Sequence, residues 1–171
     1  MKIYLVGLPG CGKSTLGKQL SKRLNIPFVD LDMAIEQREG IAVKDIFKQK
    51  GEDYFRKVES DTLKKVSEGL PEFIIATGGG APVFFDNMEY MNRLGQTVFL
   101  DVPAREITNR ILKSNKEERP LLARLAPDEL KDQIEFLRSQ RINFYNLAMH
   151  KISADVIRVE DVLIKLQHPI D

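Results

Sequence analysis

Nine residues near the start of the chain, Gly7-Leu8-Pro9-Gly10-Cys11-Gly12-Lys13-Ser14-Thr15, constrain its fold more than any other stretch. An apolar run, Ile3-Tyr4-Leu5-Val6, precedes them, and Leu16, Leu20 and Leu24 follow at helical spacing. The pattern G-x-x-x-x-G-K-[ST] between a strand and a helix points to a phosphate-binding loop. A phosphate chain is held by a concave row of backbone N–H groups backed by a helix N-terminus, and glycines let that backbone approach closely. Lys13 then reaches the outer phosphates as a point charge, and Ser14 offers a hydroxyl to Mg2+. At average residue usage the four fixed positions coincide in roughly 0.6% of chains this long, which sets chance aside.

At 171 residues the chain has the length of one domain with a buried core. Its formal net charge of +1 gives no electrostatic reason to expect nucleic acid or an anionic membrane as a partner. Cys11 is the single cysteine, so no internal disulfide is expected, which fits a reducing cytoplasm. It reads as a small residue filling the loop. Met1-Lys2 leads straight into the first apolar run, so no signal peptide is expected, and no apolar run approaches a membrane span. His150 and His168 lack metal-ligand spacing and read as surface residues. A monomer is the default expectation at this size.

Further strands are expected at residues 28–32, 73–77, 96–101 and 154–159, separated by helical segments. Five buried strands alternating with helices predict an α/β fold, a doubly wound parallel sheet with helices on both faces. The charged stretch from 33 to about 68 is too long for a simple crossover and reads as a helical flap beside the sheet edge. Residues 113–120 read as a charged, polar loop ahead of Leu121-Leu122.

Ligands of open parallel sheets bind at the carboxyl ends of the strands. Asp30 and Asp32, two apart on the second strand, would share one side there, one holding a metal-bound water and the other acting as base to an acceptor hydroxyl. The alternative is that they cap the next helix. Gly78-Gly79-Gly80 ends the third strand where many phosphate-loop proteins carry an acid, and suggests backbone N–H groups offered to a small substrate. Arg56 suits a bidentate grip on a carboxylate, or else pairs at the surface with Glu59. Arg119 is either a mobile arginine closing over the transferring phosphate or one charge in a solvated loop. Spacing alone leaves Arg110 and Arg141 undecided.

In order along the chain, these motifs resemble the shikimate kinases, small members of the nucleoside-monophosphate-kinase-like group of P-loop proteins. The resemblance rests on the phosphate loop with Gly17, then Phe28-Val29-Asp30-Leu31-Asp32, Asp45-Ile46-Phe47, Gly51-Glu52, Phe55-Arg56 and Glu59. It continues through Gly78-Gly79-Gly80-Ala81, Arg119-Pro120-Leu121-Leu122, and Arg141 with Tyr145. It implies a single kinase domain of three-layer αβα architecture, with an acceptor flap at about 33–60 and a lid at about 113–124. It further implies transfer of the ATP γ-phosphate to the 3-hydroxyl of shikimate, with Mg2+ as cofactor. Carried onto matching positions, Gly10, Cys11, Gly12, Lys13, Ser14 and Thr15 would bind ATP, with Arg110 against adenine. Ser14 and, through water, Asp30 would hold the metal. Asp32 would orient or deprotonate the acceptor hydroxyl, Arg56 and Arg141 would clamp its carboxylate, and the backbone at Gly78, Gly79 and Gly80 would assist. Lys13 and Arg119 would meet the phosphates. Two departures stand out: Val159-Glu160-Asp161 where the family often has a basic or polar adenine loop, and Glu117-Glu118 just before Arg119. Competing readings are another small-molecule kinase, for gluconate or a nucleotide, and a catalytically silent nucleotide-binding module.

Overall fold

The computed structural model describes residues 1–113 and 126–167. The chain runs β1 (Lys2–Val6), α1 (Lys13–Leu24), β2 (Phe28–Asp30), α2 (Leu31–Glu39), α3 (Val43–Gly69) and β3 (Phe73–Ala76). After a short 3-10 turn at Ala81–Val83 come α4 (Asn87–Leu94), β4 (Gln96–Asp101), α5 (Ala104–Lys113), α6 (Pro127–Tyr145), β5 (His150–Ser153) and α7 (Val159–Gln167). The strands lie in the order β2-β3-β1-β4-β5, every neighbouring pair parallel. Parallel neighbours require crossovers, and the intervening helices supply them on both faces of the sheet, a three-layer α/β fold.

β1 is central, and Ile3, Tyr4, Leu5 and Val6 are fully buried, as a strand covered on both faces must be. Each large apolar side chain buried there contributes about 1.5–3 kcal/mol. The Tyr4 hydroxyl donates to Ser67 Oγ at 2.9 Å, anchoring α3 to the sheet, and burial pushes its pKa up to about 12. α1 packs so tightly on β2 that a methyl group at Gly17 would collide with the Phe28 ring.

Three sequence expectations are corrected. β2 ends at Asp30, because the Asp30 carboxylate accepts the Asp32 and Met33 N–H groups at 3.1 and 3.4 Å and starts α2. Asp32 therefore sits in the first turn of a helix and not two places along a strand. The last strand is His150–Ser153, not 154–159. β5 is an edge strand whose burial alternates, and Lys151 and Ser153 on its open face disguise it. The β-branched run that looked like a strand is a connection, with Val156 61% exposed, and the Asp161 carboxylate accepts the Arg158 N–H at 2.8 Å to begin α7. His150 is buried, its Nε2 3.0 Å from Gln96 Oε1, and is no surface residue. His168 lies outside the described residues.

The charged stretch after β2 is helical. α2 turns at Gly40 into α3, which breaks at Gly51 (φ 83°, ψ 172°). Glu39 accepts bonds from Lys50 at 3.0 Å and Tyr54 at 2.8 Å across this corner.

Candidate active site

The carboxyl ends of the central strands and the N-terminus of α1 border a cleft of about 870 Å³. Loop residues 10–15 line it, together with Asp30, Asp32, Gly78, Gly79 and Arg110. Gly12 reaches the first turn of α1 at φ 102°, a conformation that side chains disfavour. Lys13 is buried, and its ammonium donates to the carbonyls of Gly7 and Leu8 at 2.8 and 2.9 Å, which braces the loop from within. Cys11 is buried in the loop.

Ser14 Oγ donates to Asp30 Oδ2 at 2.5 Å, while Asp30 Oδ1 caps α2. The helix-capping reading of Asp30 is therefore present, and its second oxygen faces the Ser14 hydroxyl. A hydroxyl and a carboxylate side by side beside a phosphate loop are the hard oxygen donors that suit Mg2+. Among the described residues no group of three His, Cys, Asp or Glu gathers around a metal position.

Asp32 is exposed along the cleft, yet surrounding protein desolvates its carboxylate and raises its pKa. Asp30 adds to the rise, and Lys13 and Arg56 oppose it. The open side of the cleft limits the size of this shift, not its direction.

Beyond Asp32 the three glycines are pressed from three sides. A methyl group at Gly78 would lie 2.5 Å from Glu59 Oε1 and 3.2 Å from Asp32 Oδ1. At Gly79 it would lie 2.6 Å from Pro9 Cδ and 3.0 Å from Arg141 Nη1, and at Gly80 2.5 Å from both terminal nitrogens of Arg56. Gly80 is buried, and Arg56 and Arg141 do not line the cleft; they lean on the turn where the cleft ends. Arg56 is only 6% exposed. Its Nη1 donates to Glu59 at 2.8 Å and its Nε to Glu52 at 3.2 Å. The rings of Phe47, Phe55 and Phe84 surround its Cζ at 5.8, 5.1 and 4.6 Å. The i, i+3 pairing with Glu59 is therefore present, in the interior and not at the surface.

Arg110, on α5, spans three elements. It donates to Glu106 at 3.0 Å, to the Cys11 carbonyl at 3.1 Å and to the Asp155 carbonyl. The segment after β5, including Ile157, Arg158 and Glu160, lines the same end of the cleft, so the departure at Val159-Glu160-Asp161 falls on the wall beside Arg110. Arg119 and the rest of the expected lid beyond Lys113 lie outside the described residues.

The shikimate kinase family model matches residues 9–169. A shikimate kinase of Bacteroides fragilis is 46% identical over 161 residues, covering 94% of this chain and 88% of that protein. The chain belongs to the shikimate kinase family. The crystal structure of the Bacteroides thetaiotaomicron shikimate kinase superposes with a TM-score of 0.90 at 41% identity, over 98% of this chain and 96% of that one. The Acinetobacter baumannii shikimate kinase in complex with shikimate gives 0.83 at 30% identity, over 96% and 89%. Membership sets aside the gluconate-kinase, nucleotide-kinase and silent-module readings. Among the described residues no helix is long and apolar enough to cross a membrane.

Two residues packed against the glycine turn were given no role from the sequence. Glu59 is fully buried, and its Oε1 has no hydrogen-bond partner among the described residues. Burial pushes its pKa up to about 6 against the pull of Arg56. The signal was there: Phe55, Val58, Thr62 and Leu63 place Glu59 within the buried stripe of α3. Tyr145 is buried, and its hydroxyl donates to the Gly79 carbonyl at 2.6 Å. Burial pushes its pKa up to about 12, with Arg141 opposing.

Proposed function

We propose that this chain transfers the γ-phosphate of ATP to the 3-hydroxyl of shikimate, giving shikimate 3-phosphate and ADP on the route to chorismate. The observation that carries this reading is the gathering of Asp32, Glu59, Arg56 and Arg141 around three consecutive glycines beside the phosphate loop. A planar carboxylate on a small polyol is recognised well by guanidinium forks, and its hydroxyls by carboxylates. The unpartnered Glu59 Oε1 suits a hydroxyl-bearing acceptor.

In this reading Arg56 and Arg141 clamp the shikimate carboxylate, with backbone at Gly78, Gly79 and Gly80 shaping the pocket. Asp32 holds the 3-hydroxyl; its raised pKa brings its basicity nearer the task of accepting that proton. The hydroxyl oxygen forms a bond to the γ-phosphorus as the bond to the ADP oxygen breaks. Backbone N–H groups of residues 10–15 and the Lys13 ammonium hold the phosphates in line, and catalysis rests on positioning and charge. Mg2+ would neutralise charge on the β- and γ-phosphates, held by Ser14 and, through water, by Asp30. Arg110 lies against adenine, and Arg119 meets the phosphates as the lid over 113–124 excludes water. Residues 33–60 act as the acceptor flap of one kinase domain. The single cysteine and this small-molecule chemistry suit a cytoplasmic monomer with no nucleic-acid or membrane partner.

A coupled ADP-release assay with ATP and Mg2+ tests the reading against shikimate, gluconate, nucleoside monophosphates and no acceptor. Stimulation by shikimate alone is expected, and stimulation by another acceptor instead would refute it.

A further inference from the structure

The glycine turn is held from behind. Ala81 N–H donates to the Gly78 carbonyl at 3.1 Å and Val83 N–H to the Gly80 carbonyl at 3.0 Å. The chain then makes a tight corner at Phe85 and Asp86, with φ of 52° and 54°. Consecutive left-handed residues with side chains are disfavoured, phenylalanine more than aspartate. Such backbone persists only where its surroundings over-determine it.

Asn87, at the start of α4, is the residue that does so. It is fully buried. Its Nδ2 donates to the Ala81 carbonyl at 2.9 Å, its Oδ1 accepts from Ser60 Oγ at 2.7 Å, and its own N–H donates to the Phe84 carbonyl at 3.0 Å. Ser60 lies on α3, one turn beyond Arg56. A single buried amide therefore ties the glycine turn to the helix that carries Arg56. The same corner delivers Phe84, whose ring sits 4.6 Å from the Arg56 guanidinium carbon.

We propose that Asn87 is a positioning residue for the acceptor, setting the spacing between the glycine turn and Arg56 without touching substrate itself. The proposal rests on the acceptor reading given above. An amide is required because one end must donate and the other accept. Without it the buried Ala81 carbonyl and the Ser60 hydroxyl each lose a partner, and the turn is free to shift against α3. Among the described residues the phosphate loop shares neither of these two hydrogen bonds, and it meets the turn through Pro9 packed on Gly79, so the first effect of losing the amide falls on the acceptor side.

Initial-rate kinetics on Asn87→Ala and Ser60→Ala beside the unsubstituted chain, with thermal melts, provide the test. The shikimate KM is expected to rise about tenfold in Asn87→Ala and severalfold in Ser60→Ala, with the ATP KM within about twofold of normal, since sub-ångström misplacement weakens one site only. Both KM values moving together, or an unmoved shikimate KM in the folded variants, overturns the proposal and leaves Asn87 a structural residue. Should Asn87→Ala fail to fold, Ser60→Ala, which removes one oxygen, decides alone. No shikimate turnover by the unsubstituted chain would overturn the acceptor reading, and this proposal with it.

Discussion

Replacing Gly80 with alanine probes the proposed acceptor site through one added carbon. The backbone there, φ −90° and ψ −16°, is open to alanine, so no conformational strain enters. Loss of glycine freedom in the unfolded chain would by itself favour folding by about 0.4–1 kcal/mol. The new methyl group, however, would lie 2.5 Å from Nη1 and Nη2 of Arg56 and 2.6 Å from its Cζ. Reaching ordinary contact near 3.4 Å demands a retreat of about 0.9 Å. Glu59, Glu52 and three aromatic rings resist that retreat. A misplacement of about 1 Å can cost about 100-fold, or about 2.7 kcal/mol. Gly80→Ala should therefore raise the shikimate KM by about 10- to 100-fold and leave the ATP KM within about twofold. The assay is initial-rate kinetics with each substrate varied at saturation of the other, with a thermal melt to show that the variant is folded. An unchanged shikimate KM in a folded Gly80→Ala protein would refute the argument that Arg56 sets the acceptor site.

Asp32→Asn keeps the side-chain shape and removes the proposed base, so turnover should fall about 10²- to 10⁴-fold while calorimetry shows ATP binding largely intact; near-normal turnover removes Asp32 from the proton path. Arg56→Ala should raise the shikimate KM more than the ATP KM. It should also destabilise by about 3–5 kcal/mol, because Glu59 is left as an unpaired buried charge; a melt and an acceptor KM both close to normal would contradict this. Glu59 titrates near 6 in the folded chain against 4.5 unfolded, so the native state binds more protons between those values. Stability is therefore expected to fall as pH rises from about 4.5 through about 6, by up to about 2 kcal/mol. Denaturant titrations across that window should lose this part of the slope in Glu59→Gln, and an identical slope in the variant assigns the titration elsewhere.

What could be read from the amino-acid order follows a physical divide. The phosphate loop is local: its glycines, lysine and hydroxyl are contiguous, so the pattern carries its own geometry. β1, β3 and β4 announce themselves as continuous apolar runs because both faces of a central parallel strand are covered. β5 escapes because an edge strand need bury only one face, and Val156-Ile157 imitates a strand while exposing Val156. β2 is overestimated because the Asp30 cap competes for the same residues. On the acceptor side the gap is wider. Nothing at Arg56 or Arg141 says that each rests on a particular glycine some 24 or 62 positions away, and only the resemblance brought them together. Glu59 shares the spacing of the apolar stripe of α3, whereas Asn87 is legible as a buried polar residue only once α4 is packed.

The glycine turn also bears on how such a site can diversify. Each of its three positions is crowded by a different neighbour: Glu59 at the first, Pro9 and Arg141 at the second, Arg56 at the third. The turn itself is thus closed to innovation, since any larger residue disturbs a separate support. Attempts to retarget this scaffold to a new alcohol have their latitude in the surrounding helices, where side chains can change length without moving the backbone they rest against. Libraries built on α3 and α6 should yield altered acceptor profiles, whereas libraries built on residues 78–80 should return glycine.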